Sequence, residues 1–357
     1  MRAIVLVGGE GTRLRPLTYR IPKQLIPLAG VPMIERVVRH LGRHGISDVV
    51  LSMGYRPSAF LERYPDGVCG DVAISYVVEP EPLDTGGAVR FAALESGIDE
   101  TFVVVNGDVI SDHDLSSLVE YHRSTGAAAT IDLEPVVDPS AFGVVVTDAD
   151  GLVSAFVEKP AAGSAPSNLI NAGMYVLEPV VVDSIASGRR VSIEREVFPG
   201  LVARQALRAR ASGGNVWVDA GTPAKLYEAT MTVLERLAPD NDEVEVVARG
   251  VWRGAQCTID GEVGGTGFVG PRARVEAGAK VTFSSVEADV VISADADVSE
   301  SIILAGARIA AGAVVQRCVV GADAEIGASA DLRDVVVGVQ CSVPAGHRLV
   351  DGRIGEP

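Results

Sequence analysis

The sequence AIVLVGGEGTRLRPLT, residues 3–18, decides how the first half of this chain is read. Ala3 to Val7 is an apolar, partly β-branched run of strand length, and Gly8 follows it directly. Gly8, Gly9 and Gly11 free backbone N–H groups to approach anionic oxygens, and Arg13 adds a forked cation, so the loop predicts a phosphate cradle. It is neither of two familiar cradles. A dinucleotide fingerprint needs glycine where Leu14 stands, and a P-loop needs Gly-Lys-Ser/Thr.

Composition narrows the ligand. The chain has 357 residues, 47% of them hydrophobic and 22% charged, with a net charge of −16. That balance describes a chain able to bury a core, and its length favours two domains. An acidic chain is unsuited to the polyanionic backbone of nucleic acids. A phosphorylated small molecule needs only a local positive spot. Arg2, Arg13, Arg15, Arg20 and Lys23 supply one against a single acid, Glu10. No apolar run approaches the ~18 residues of a membrane span and no cleavable signal opens the chain, so a cytoplasmic protein is expected. Cys69, Cys257, Cys318 and Cys341 form no metal-binding pair, which fits a reducing compartment.

Two grammars divide the chain. Residues 1–236 alternate strand candidates (Ala3 to Val7, Asp48 to Met53, Ile74 to Val78, Thr101 to Val105) with amphipathic helical stretches. In PMIERVVRHLGRHG the stripe is Ile34, Val37, Val38 and Leu41. The pattern predicts βαβ units and a largely parallel central sheet with ligands outside the strands' carboxyl ends. His40, His44, His113 and His122 fall in or near helical stretches, and solvated positions are expected for them. A last helix in this half has Thr222 as its cap and Pro223 in its first turn. An acidic stretch within 237–250 reads as a linker. From 251 to 357 a repeat takes over. Val269, Val275 and Val281 lie six apart, and the triplet recurs every 17 residues to Val337, Val343 and Leu349. Three aliphatics per turn, among Gly, Ala and Ser, predict a left-handed parallel β-helix of hexapeptide repeats.

Further constellations join the cradle. Only four of 31 basic residues are lysines, and Lys23 and Lys159 stand beside prolines, in PK and EKP. FVVVNGD ends a buried strand in Asn106-Gly107-Asp108, and NVWVDAGTP repeats the pattern with Asp219. Magnesium takes one or two carboxylates together with substrate phosphates, so Asp108 and Asp219 form a candidate pair. AFGVVVTDADGLVSAFVEKP reads as a hairpin turning at Asp150-Gly151 and ending in Glu158-Lys159. Asn171 and Gly173 offer an amide and a close backbone. Each feature also has a plain structural reading: a tight turn, a helix cap or a surface ion pair.

Taken in order, GGEGTRLRPLT, PKQLIPLAG, EPLDTGGAV, NGD, FGVV…AFVEKP, NAGMYVLEP and WVDAGTP resemble the sugar-phosphate nucleotidyltransferases, or NDP-sugar pyrophosphorylases. The resemblance covers nearly the whole chain. It implies a Rossmann-like nucleotidyltransferase domain followed by a β-helix, and transfer of a nucleoside monophosphate from an NTP to a sugar 1-phosphate with Mg2+. Leu6, Gly8, Gly9, Gly11, Thr12, Arg13, Glu79, Thr85, Gly86, Gly87, Asn106 and Gly107 would hold the nucleotide. Gly143, Glu158, Lys159, Asn171 and Gly173 would hold the sugar phosphate. Arg13, Lys23, Asp108, Lys159 and Asp219 would be catalytic, with Asp108 and Asp219 on the metal. VSIEREVFP, residues 191–199, resembles the mannose-1-phosphate guanylyltransferase branch, which implies GTP and mannose 1-phosphate. A homo-oligomer is also implied. Asp84 departs from the family's glycine and leaves room for another base or for a specialised deoxysugar, heptose or cyclitol phosphate. UTP, dTTP or ATP with glucose 1-phosphate remains an alternative pair, and a non-catalytic NDP-sugar-binding homologue a second alternative.

Overall fold

The computed structural model describes residues 1–356 except 215, 238–243 and 249, and shows two compact units. The first unit comprises Met1–Gly9 and Val37–Trp217. The second comprises Glu10–Arg36 and Val218–Pro357.

A mixed sheet forms the frame of the first unit. Ala3–Leu6 lies at the middle of its parallel part, paired with Asp48–Met53 on one side and Phe102–Asn106 on the other. Val72–Val78 extends the parallel run beyond Asp48–Met53. The chain therefore builds outward on one side of the first strand and returns to the other. That reversal makes the carboxyl end of Ala3–Leu6 a topological switch point, where α/β sheets open a crevice. Beyond Phe102–Asn106 the sheet turns antiparallel through Leu169–Leu177 and the hairpin of Gly143–Thr147 with Val153–Glu158. Ile4, Val50, Phe102, Val104, Ile131, Tyr175 and Phe198 are almost wholly excluded from solvent at its centre. The expected helix stripe is present in Met33–Arg43, with Ile34, Val37, Val38 and Leu41 buried.

The histidine expectation is corrected for three residues. His40, His113 and His122 are buried. His113 contacts Asp132 through Nδ1 (2.5 Å) and Glu134 through Nε2 (3.2 Å), while His122 contacts Thr130 and Glu178. Helical spacing alone did not reveal these carboxylate partners, which come from the strand Ala129–Pro135 and from Glu178, ahead of the helix Pro179–Ser184.

The β-helix of the second unit keeps the 17-residue register throughout. Val269 pairs with Val286, Val275 with Ile292 and Val281 with Val298, and each ladder continues to Val337, Val343 and Leu349. All fifteen repeat aliphatics are buried except Leu349, in the last turn. Burial contributes about 1.5–3 kcal/mol per aliphatic side chain. Corners recur with the same period: Arg272, Asp289, Gly306, Asp323 and Gln340 all take positive φ, one per turn. The expected cap holds, since the Thr222 hydroxyl accepts from Lys225 N–H at the start of Pro223–Thr232. Part of the expected linker, 238–243 and 249, lies outside the described residues. Val244–Ala248 within it is a strand, antiparallel to Val251–Gly254.

Glu287 is a buried acid in this unit. Its carboxylate accepts from Gly30 N–H (3.1 Å) and from the Ser285 hydroxyl (3.1 Å), with the Arg36 charge nearby. Burial pushes its pKa from 4.5 to about 7, so folding favours the neutral acid. The sign follows: this contribution is fully present below pH 4.5 and is lost as pH rises through about 7. Glu287→Gln should therefore raise Tm by roughly 2–4 °C at about pH 8 and by much less at about pH 5. Thermal unfolding across pH checks this, and an equal shift at both ends would contradict it.

Candidate active site

Three neighbouring strands of the first unit meet glycine at their carboxyl ends, directly at Gly54 and Gly107 and after Val7 at Gly8. The Gly107 N–H donates to the Leu6 carbonyl (3.0 Å), so Leu6 contributes its backbone to the strand-end geometry. A β-carbon on Gly107 would lie 2.8 Å from a Val7 methyl and 3.0 Å from Leu6 O. One on Gly8 would lie 3.4 Å from both Gly54 N and Glu79 Oε1. On the floor at the switch point a side chain is thus excluded at Gly107, while at Gly8 a β-carbon would stand in van der Waals contact with its neighbours. Asp108 is half-buried directly after Gly107.

Glu79 borders the same floor. It accepts from Leu83 N–H (2.9 Å), and burial raises its carboxyl pKa above the ordinary glutamate value. The helix Asp84–Glu95 follows. Its first turn is packed by the stretch that includes Ser192 and Glu194. Gly86 and Gly87 donate to Val191 O, and a β-carbon on Gly86 would lie 3.1 Å from that oxygen and from Ile193 N. Thr85 donates to Glu194 (2.7 Å), as does Ser192 (2.8 Å), and Thr85 accepts from Ile193 N–H. The two glycines therefore serve close packing. The VSIEREVFP stretch is physically joined to the turn expected to line a base pocket.

A second group gathers farther along the sheet. Gly173, with φ 77°, crosses Asn106 so closely that a β-carbon would lie 2.7 Å from its amide nitrogen. Asn171 accepts from Gly173 N–H and donates to the Tyr175 hydroxyl (both 2.9 Å). Gly143 lies beside Glu158, which pairs with the exposed Lys159 at 3.1 Å. Phe142 meets Trp217 edge to face, and the Trp217 indole donates to Ala172 O. Asn106, Gly143, Glu158, Lys159, Asn171 and Gly173 are thus brought together, with two aromatic residues.

The second unit holds Gly11, Thr12, Arg13, Lys23 and Asp219. Gly11 takes the left-handed conformation, with its carbonyl held by the Thr18 hydroxyl, and it sits against Lys23. Thr12–Leu14 forms a single tight turn with Thr12 and Arg13 exposed. Asp219 accepts from Gly221 N–H (2.9 Å). The space where a Gly221 side chain would stand is bounded by Arg13 Nη2 and Asp219 Oδ1. Arg13 and Asp219 are therefore neighbours. Asp108 and Asp219 are hard oxygen donors, the chemistry magnesium requires. Among the described residues no group of three or more histidine, cysteine or acidic side chains is placed to hold a metal.

The expected N-terminal positive spot is more dispersed than the sequence implied. Arg15 pairs with Glu10 (2.6 Å), Arg2 donates to Ser96 O and Gly97 O, and Arg20 donates to Gln340. Sequence reasoning also missed Gly54, Phe142 and Trp217 as neighbours of the candidate residues. For Gly54 a signal existed, because a glycine directly follows the parallel strand Asp48–Met53 as it does Val7 and Asn106.

A switch-point crevice floored by glycine and bordered by carboxylates is the kind of site at which α/β enzymes bind phosphorylated ligands. Residues 2–236 match the family described as Nucleotidyl transferase, and residues 263–354 match the GMPPB C-terminal domain. The chain belongs to the nucleotidyl transferase family. It is 39% identical over 304 residues to "Mannose-1-phosphate guanylyltransferase" of Mycobacterium tuberculosis, covering 81% of this chain and 82% of that protein. It is 41% identical over 241 residues to "Mannose-1-phosphate guanylyltransferase 1" of Arabidopsis thaliana, covering 66% of each. Among solved structures, HddC from Yersinia pseudotuberculosis complexed with GMP-PN aligns with a TM-score of 0.54 and 25% identity, over 64% of this chain and 97% of that one. Among the described residues no helix is long and apolar enough to cross a membrane.

The unusual Asp84 has a local explanation. Its φ is 62°, a conformation that costs a side-chain-bearing residue about 1 kcal/mol, and its carboxylate accepts from Thr85 N–H (2.8 Å). Asp84→Ala, which keeps the strain and removes the bond, should lose about 1 kcal/mol of stability. Asp84→Gly should cost less. Denaturant unfolding compares them, and equal losses would contradict this account.

Proposed function

We propose that the protein transfers GMP from GTP to mannose 1-phosphate, giving GDP-mannose and pyrophosphate. The observation that carries this reading is similarity to the Mycobacterium tuberculosis guanylyltransferase across four fifths of both chains. The joining of Ser192 and Glu194 to Thr85 adds support, because it links the branch-like stretch to the expected base pocket. The family resemblance also supports a homo-oligomer, and the unpaired cysteines fit a cytoplasmic setting.

In this reading Gly8, Gly9, Gly11 and Thr12 cradle the triphosphate with their backbone, and Arg13 and Lys23 balance its charge. Glu79 and the Thr85–Gly87 turn border the base. Glu158, Asn171 and the backbone at Gly143 and Gly173 orient the sugar, and Lys159 meets its phosphate. Asp108 and Asp219 would hold magnesium, which supplies charge neutralisation at the triphosphate when bound. An oxygen of the sugar 1-phosphate forms the new bond to the α-phosphorus, the bond to the bridging oxygen breaks, and pyrophosphate departs. The nucleophile is already anionic, so the protein's work is alignment and the offsetting of repulsion between anions.

The test is pyrophosphate release with magnesium, crossing GTP, UTP, dTTP, ATP and CTP against several sugar and cyclitol 1-phosphates. GTP with mannose 1-phosphate should be preferred; preference for another pair would move the specificity, and silence with NDP-sugar binding intact would make the chain a sensor. Lys159→Ala should raise KM for the sugar phosphate roughly 10–100-fold and leave GTP affinity unchanged. Asp108→Asn should depress kcat at least as strongly, and an exposed Asp→Asn elsewhere that matched it would sink the metal assignment.

A further inference from the structure

The loop carrying Arg13 is held by the last strand of the β-helix. Thr12–Leu14 is a single turn closed by bonds from Leu14 N to Gly11 O (2.9 Å) and from Arg15 N to Thr12 O (3.3 Å). A turn this short leaves carbonyls at its end without helical partners. Arg353, in the strand Arg348–Ile354, supplies donors to two of them. Its guanidinium donates to Arg13 O (3.0 Å) and to Arg15 O. Neighbouring contacts bring the same segments together. A β-carbon on Gly355 would lie 3.1 Å from the Pro16 ring, and one on Gly338 would lie 3.3 Å from it. Arg20 donates to Gln340 (2.8 Å). Two glycines thus let Pro16 seat directly on backbone, and Arg353 ties the turn ahead of it.

We infer that Arg353 is a positioning residue for the nucleotide site, clamping the carbonyls on either side of Leu14 so that the Arg13 guanidinium is pre-set for the triphosphate. The inference rests on the proposed role of the Gly8–Arg13 loop. The planar fork of arginine suits the task, since two donors in fixed relation bridge two carbonyls that a lysine would meet one at a time. Arg353 also lines a cleft of about 490 Å³ with Thr222, Tyr227 and Arg317. Its truncation therefore enlarges an open space and crowds nothing. The β-helix accordingly contributes to substrate binding without touching substrate.

The test uses the full-length protein with Arg353→Ala, Arg353→Lys, Arg13→Ala and the double alanine variant. Amide exchange over residues 11–15 without nucleotide reads the clamp, and calorimetric GTP binding with magnesium reads its consequence. Arg353→Ala should speed exchange and weaken GTP roughly 10-fold, with KM for the sugar phosphate changed less than 2-fold and Tm little altered. Arg353→Lys should recover part of the affinity. In the Arg13→Ala background, loss of Arg353 should have little further effect. Unchanged exchange in Arg353→Ala, or the same loss of GTP affinity in both backgrounds, would overturn the clamp. Faster exchange combined with no effect of Arg13→Ala on GTP would overturn the triphosphate reading and, with it, the positioning role.

Discussion

The hydrogen bond from Gly107 N–H to Leu6 O is the constraint on which the candidate site depends. It joins the ends of two parallel strands at the place where the sheet's order reverses, and it leaves no room for a side chain at position 107. Asp108 is placed directly after that join, and Gly8 approaches Glu79 on the other side of the first strand. Glycine at position 107 is a packing requirement. At Gly8 and Gly9, which reach solvent, the absence of a side chain leaves backbone able to face an anion.

Specificity is expected to sit one layer out. The first turn of Asp84–Glu95 is held by Val191, Ser192, Ile193 and Glu194 through backbone and side-chain bonds. A change in that stretch would move Thr85 without touching a ligand. Support from a distance recurs in the second unit, where the β-helix carries Arg353 beneath the Arg13 turn. A solenoid suits this task because each turn is fixed by the next, so the terminal coil presents a stiff edge.

Much of this was legible in the sequence, for identifiable reasons. The β-helix announced itself because its core requires an aliphatic at each face of every turn, and that requirement is periodic. The strand end at Gly107 and the hairpin at Gly151 were legible because glycine marks where side chains are excluded, and the strand end at Gly8 because glycine breaks an apolar run. The buried environments of His113 and His122 were not, since their partners Asp132, Glu134 and Glu178 come from other elements. Nor was the seating of Pro16 on Gly338 and Gly355, more than three hundred residues away. Asp84 was legible as an anomaly, but its positive φ and local bond required coordinates.

The most direct test is a crystal structure of the protein with GTP and magnesium. The guanine should lie beside Glu79 and the Thr85–Gly87 turn, with the phosphates leading toward Gly8. Nucleotide bound away from the carboxyl ends of Ala3–Leu6 and Phe102–Asn106 would contradict this placement.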